Sequence, residues 1–241
     1  MMQLDSSVRT ANYPIQIRST SVSSQISPWI SLIYPFIGQV ILPAYFDRIE
    51  IVGQEHLPKT GAVILAPTHR SRWDPIILAL ATGRPVTGRD LRFMTTASEM
   101  EGVQGWFVRH LGGFPVDLKK PGIGSLRHGV EVLQQGEMLA IFPEGGIFHE
   151  DTVQPLKPGL ARLALQAEST QPDADIKIVP IGIEYSTLKA KWRCQVNVRI
   201  GSPMPVRAYL GNSVKQSAKA LTADLTSALH SLYLGTDSYT E

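Results

Sequence analysis

From Arg48 onward the spacing of apolar positions switches back and forth between the strand and helix periods. Arg48 to Val52 alternates charged and apolar side chains, the two-residue period of a half-exposed strand. Ala62–Ala66, Met138–Phe142 and Ile176–Ile183 are nearly unbroken apolar runs of strand length, as expected of strands buried on both faces. Arg92–Thr96, Gly113–Val116 and Gln195–Ile200 complete the predicted strands. Helical spacing falls between them, over Pro75–Thr82, Val103–Leu111, Ile123–Gln135 and Gly159–Ala167. This alternation predicts one α/β domain, with helices flanking a largely parallel sheet. Near the C-terminus Val214, Ala218, Leu221, Leu225, Ala228 and Leu232 recur every three or four residues. They predict an amphipathic helix whose stripe packs back on the domain.

The chain before residue 47 follows neither period. Residues 1–25 are rich in Ser and Thr and read as a mobile polar tail; no apolar core follows Arg9, so they do not resemble a secretory signal. Residues 26–46 carry no charge. Their length approaches a membrane span, but Pro28, Pro35 and Pro43 interrupt them, and Pro35 sits mid-segment, where a helix loses a hydrogen bond. Three arrangements compete: a full span, an apolar arm packed on the domain's own core, and two short helices inserted shallowly with Trp29, Tyr34, Tyr45 and Phe46 at interfacial depth. The third fits the prolines best, and predicts a monotopic protein at the cytoplasmic face of a membrane. Residues 47–241 then form the domain.

Composition narrows the chemistry mainly by exclusion. The 241 residues carry a formal charge of only +2, which calls for no nucleic-acid partner. Cys194 is the single cysteine, so neither an internal disulfide nor a multi-cysteine metal site can form. The histidines at 56, 69, 110, 128, 149 and 230 include no helix-spaced pair, which disfavours zinc. No Gly-x-Ser-x-Gly elbow or Gly-Lys-Ser/Thr phosphate loop occurs. Gly122-Ile123-Gly124 opens like a dinucleotide fingerprint, but Arg127 replaces the third glycine, and the stretch reads as a helix start.

Positive chemistry concentrates at two strand ends. After the strand at 62–66 comes Thr68-His69-Arg70-Ser71-Arg72-Trp73-Asp74-Pro75. If the chain curls there, the Asp74 carboxylate can orient the His69 imidazole and leave its other nitrogen to accept a proton. The plainer reading is that Asp74 caps the next helix, with Pro75 in its first turn, and that His69 is an ordinary loop residue. Glu144 follows the strand at 138–142 in the same way, and open parallel sheets collect their sites at carboxyl strand ends.

Four segments in order resemble the glycerolipid acyltransferase family: His69 with Asp74, Gly112-Gly113-Phe114-Pro115-Val116-Asp117, Phe142-Pro143-Glu144-Gly145, and Val179-Pro180-Ile181-Gly182-Ile183. The resemblance covers about residues 50–190. It implies a membrane-associated enzyme, needing no cofactor, that moves a fatty acyl group from acyl carrier protein or coenzyme A to a lysoglycerolipid hydroxyl, with 1-acylglycerol-3-phosphate as the leading acceptor. His69 would be the base and Asp74 its orienting partner. Glu144 would bind the acceptor or order its loop, and amides near Gly145 and Gly146 would meet the developing oxyanion. Two family arginines are missing, because Leu118-Lys119-Lys120 follows Asp117 and Gly146-Ile147-Phe148 follows Gly145. Lys119, Lys120, Arg70 and Arg72 are the remaining cations for an acceptor phosphate, although lysine lacks the bidentate fork. An acyltransferase for another lysophospholipid or lipid alcohol, and a non-catalytic lipid-binding relative, stay as alternatives.

Overall fold

The computed structural model describes residues 24, 26–27, 33, 36–100, 102–116, 123–211 and 213–234. Its strands are β1 (Arg48–Val52), β2 (Val63–Pro67), β3 (Leu91–Thr96), β4 (Gly113–Val116), β5 (Met138–Ala140), β6 (Lys177–Tyr185), β7 (Gln195–Ile200) and β8 (Met204–Pro205). They form one sheet in the order β1-β7-β6-β2-β5-β3-β4, with β8 beside the start of β6. β6, β2, β5, β3 and β4 pair in parallel. β7 returns antiparallel to β6 through a hairpin, and β1 lies parallel to β7, so one edge of the largely parallel sheet is reversed. A tight return of this kind suits antiparallel neighbours, whereas the parallel pairs need crossovers.

Central strand β2 shows why its run is continuously apolar. Alternate side chains leave opposite faces, and both faces are covered. Val63 and Leu65 pack with Ile77, Leu78 and Ala81 of helix α1 (Asp74–Thr82). Ile64 and Ala66 pack towards α3 (Ile123–Gln134), α4 (Gly159–Thr170) and α5 (Val214–Leu234), through residues such as Leu133, Leu163 and Leu225. Helix α2 (Gly102–His110) precedes β4. The result is an α/β/α sandwich. The stripe of α5 does pack back on the domain, with Ala218, Leu221 and Leu225 buried, Ala228 and Leu232 half-buried, and Leu229, outside the expected stripe, buried as well. Val214, at the helix start, is instead 69% exposed.

Of the expected tail only Ser24 is described, and it is held: its O accepts from Arg92 Nη1 (3.0 Å) and its Oγ lies 2.9 Å from His128 Nε2. The rest of the tail, with Pro28, Trp29, Tyr34 and Pro35, lies outside the described residues. Ile37–Ile41 forms a π-helical turn that runs into an α-turn at Leu42–Tyr45. Leu42 and Phe46 are 3% and 2% exposed within the core on the α1 side, so Phe46 is a core residue and not the interfacial anchor its position suggested. Among the described residues no helix is long and apolar enough to cross a membrane.

Candidate active site

The loop after β2 is pinned before it turns. Thr68 N–H donates to Ile181 O (3.0 Å), extending the β2–β6 ladder, and Thr68 Oγ1 accepts from Ile183 N–H (2.9 Å). From α5, the Tyr233 hydroxyl lies 3.0 Å from Ile183 O and 3.1 Å from Thr68 Oγ1. Beyond this anchor the chain folds back, and Asp74 N–H donates to Ser71 O (3.1 Å).

That turn decides what Asp74 does. The helix cap is Trp73, which makes no side-chain cap bond, and Asp74 is the first residue of α1. The capping reading is therefore wrong: the carboxylate points back into the loop it has just left. Oδ2 accepts from His69 Nδ1 (2.9 Å), Arg70 N–H (2.5 Å) and Ser71 N–H (2.8 Å), and Oδ1 accepts from the Tyr185 hydroxyl (2.6 Å). The carboxylate is 0% exposed, and four donors together with the helix N-terminus offset its lost hydration. Burial, then the adjacent Asp74 charge, pushes the Tyr185 phenol well above its usual range, so it stays a neutral donor. Burial likewise pushes Tyr233 up to about 12.

His69 is the partly exposed member, with 17% of its side chain accessible. Its ring stacks on Phe142 at 4.0 Å between centroids and 26° between planes. With Nδ1–H donating to Asp74, the neutral ring carries its lone pair on Nε2. A base of fixed tautomer, backed by a buried carboxylate, can take a proton from a hydroxyl.

Arg70 and Glu144 were expected at the substrate. The structure pairs them with each other, at 5% and 1% exposure. The guanidinium forms a bidentate fork on the carboxylate, Nη1 to Oε2 at 2.7 Å and Nη2 to Oε1 at 2.9 Å. Glu144 also accepts from His69 N–H (2.9 Å) and Gln154 N–H (2.8 Å), while Arg70 Nη2 donates to Thr152 O (2.9 Å). Burial alone would lower the Arg70 pKa, but the Glu144 hydrogen bond, the neighbouring Tyr233 and the Glu144 charge together outweigh it and the net shift is upward. The pair braces the loops after β2 and β5 against each other.

Gly145 sits at φ 73°, in the left-handed region, and its N–H donates to Phe142 O (3.1 Å), so that amide already has a partner. Gly146 continues towards Phe148, whose N–H donates to His69 O (2.9 Å). Arg72 is exposed beside the loop, while Lys119 and Lys120 lie outside the described residues. Lys157 was not foreseen. Its stem lies along Gly145, with Cδ and Cε 2.7 Å from where a Cβ there would sit, and its own N–H donates to Pro143 O (2.9 Å). Tyr185 and Tyr233 were not foreseen either. Their partners lie 111 and 165 residues away in sequence, and no local pattern marks such contacts.

Comparison with known proteins concerns the chain as a whole. The Acyltransferase family pattern matches residues 48–184, more than half of the chain, and spans His69, Asp74 and Glu144. A 1-acyl-sn-glycerol-3-phosphate acyltransferase of Streptococcus pneumoniae is 29% identical over 147 residues, covering 59% of this chain and 50% of that protein. One from Bacillus subtilis is 28% identical over 117 residues, 48% of this chain and 56% of the relative. The chain thus matches about half the length of these curated relatives. In structure it is similar to the 1-acyl-sn-glycerophosphate (LPA) acyltransferase PlsC of Thermotoga maritima, with a TM-score of 0.61 at 18% identity, over 84% of this chain and 79% of that one. Fold, loop and motif order define a sandwich enzyme scaffold with a histidine–carboxylate dyad at its carboxyl strand ends. The chain belongs to the Acyltransferase family.

Proposed function

We propose that this chain is a membrane-associated O-acyltransferase that moves a fatty acyl group from a thioester of acyl carrier protein or coenzyme A to a lysoglycerolipid hydroxyl. The acceptor is 1-acylglycerol-3-phosphate and the product phosphatidic acid. The observation that carries the reading is the His69–Asp74 pair, with the carboxylate held by four donors and the imidazole partly open. His69 Nε2 takes the acceptor's hydroxyl proton as that oxygen attacks the thioester carbonyl. The tetrahedral intermediate then expels the thiolate, which leaves with the proton from His69. Asp74 fixes the ring and stabilises the imidazolium that forms between these steps. No covalent acyl-enzyme is needed, because the thioester is already activated. Arg70 and Glu144 act through the loops they brace. Arg72, Lys119, Lys120 and Lys157 are the cations for the acceptor phosphate, Lys157 because its stem crosses the Phe142–Gly145 turn next to His69.

The missing arginines favour one second reading, a lipid-alcohol acceptor without a doubly bound phosphate. Purified protein assayed for thiol release from both donor types, against phosphate-bearing and neutral lysolipids, separates the two. Alanine at Lys157 should raise KM for 1-acylglycerol-3-phosphate and leave KM for a neutral acceptor and for the donor unchanged. Absence of turnover with every donor–acceptor pair would overturn the enzymatic reading.

A further inference from the structure

Beside the reactive loop, the β6–β7 hairpin meets the end of the uncharged segment. Trp192 Nε1–H donates to Ala44 O (3.1 Å) and Arg193 N–H donates to Tyr45 O (2.6 Å). The Arg193 guanidinium is held by Asp47 (3.0 Å). These bonds make residues 36–46 and the hairpin tip one continuous surface. The inner side of 36–46 is buried through Leu42 and Phe46, yet its outer side, apart from the exposed Gln39, is apolar as well, with Phe36 56%, Val40 49% and Ile41 36% exposed. Helical chain that is apolar on nearly every side belongs inside protein or in lipid, and among the described residues protein covers only one side of this piece. On the hairpin, Leu188 is 62% and Trp192 68% exposed, and between them stand Lys189 and Lys191. A cleft of about 550 Å³ opens there, lined by Asp151, Tyr185, Leu188, Lys189 and Lys191 among others. Tyr185 is also the donor to Asp74 Oδ1, so the cleft adjoins the dyad.

We propose that the β6–β7 hairpin tip is a second membrane contact, seated on the surface of an anionic bilayer. Trp192 and Leu188 enter the interfacial layer, the indole offering its exposed apolar body while its Nε1–H stays bonded to Ala44 O. Lys189 and Lys191 lay their stems along that apolar surface and bring their charges to lipid phosphates. A single weak anchor binds a membrane only marginally, and an apolar element combined with basic residues binds far better. The surface supplies both, and it turns the cleft beside the dyad towards the headgroups. Exposed apolar side chains outnumber the two lysines on this face, which fits a bilayer better than an acidic protein. The inference rests on reading residues 26–46 as membrane-associating and on a lipid acceptor.

The test is sedimentation of the full chain with vesicles of phosphatidylcholine alone, or mixed with phosphatidylglycerol, at fixed ionic strength. Lys189→Gln with Lys191→Gln should cost roughly thirtyfold in affinity for the anionic vesicles, at about fivefold per lysine, and little for the neutral ones. Leu188→Ser, which removes no hydrogen bond, and Trp192→Ser should weaken binding to both. Trp fluorescence should shift to the blue on vesicle addition, and less so in Trp192→Phe. Wild-type binding by the lysine and Leu188 variants alike would overturn the proposal. Retained vesicle binding with turnover lost only on acyl carrier protein would also overturn it, by assigning the tip to an acidic protein. A short-chain lysolipid assayed below its micelle concentration keeps the two readings apart. No turnover on it by the wild type counts against the acyltransferase reading, while the vesicle result still judges the hairpin.

Discussion

Asp74 and Glu184 are both acids at the carboxyl end of the sheet, and their surroundings differ in one respect. Each Asp74 oxygen accepts a hydrogen bond, four in all, two of them from backbone amides that cannot leave. Glu184, next to Tyr185 on β6, pairs with Arg199 at 2.8 Å through Oε2, while its Oε1 is buried with no hydrogen-bond partner. Burial raises the Glu184 pKa, and Arg199 only partly opposes that. A folded acid therefore needs donors as well as an opposite charge. The dyad has been given them, and the neighbouring ion pair has not.

The sharpest way to break the contrast is Asp74→Asn. The amide keeps the volume but can no longer orient the donor tautomer of His69, and turnover should fall about 10²–10⁴-fold while the folded circular dichroism spectrum is retained. His69→Ala should fall as far. Near-normal turnover by folded His69→Ala would end the general-base assignment.

Arg70→Ala tests the brace behind the dyad. It leaves the Glu144 carboxylate buried without its fork, and should cost about 3–5 kcal/mol in a denaturant titration. A loss below about 1 kcal/mol would mean that the loop amides alone hold Glu144.

Tyr185→Phe removes one donor from Asp74 and leaves three. The carboxylate then holds the His69 ring less firmly, and at about 1.5–3 kcal/mol for a hydrogen bond to a charged group kcat should drop roughly tenfold or more with KM unchanged. An unchanged kcat would reduce Tyr185 to packing.

Glu184→Gln should have the smallest effect and the opposite sign. Because the folded pKa is raised, the folded state holds its proton after the unfolded state has released one. Stability from this residue is thus complete below the unfolded pKa and declines as pH rises through the folded one. The Gln variant lacks that decline, so its melting temperature should gain on the wild type between acidic and neutral pH. Parallel melting curves across that range would show that Arg199 fully compensates the buried charge.

Much of this site was legible in the sequence because its chemistry is carried by short runs at strand ends. Continuous apolar stretches marked β2, β5 and β6 as buried, which put His69 and Glu144 at neighbouring ends. Local reading failed where long-range geometry decides. Asp74 could be read locally either as a cap or as the partner of His69, and the fold-back of residues 69–73 turns it inward to the second. Arg70 was expected at the acceptor phosphate, because the buried partner that holds it lies 74 residues on. The reversal of β7 could not be read, since alternation gives a strand's faces and not its direction. Phe46 looked like an anchor because an uncharged segment does not say which of its sides meets the core.

Tyr233 closes the site from the far end of α5, bonding near Thr68 and Ile183 with its ring 5.5 Å from the Arg70 guanidinium. On the ribosome this sets an order of events. His69, Asp74, Glu144 and Tyr185 are all made before the segment that clasps them, so the loop after β2 stays unlatched in the nascent chain. The latch arrives with the end of α5, once Tyr233 has left the ribosome.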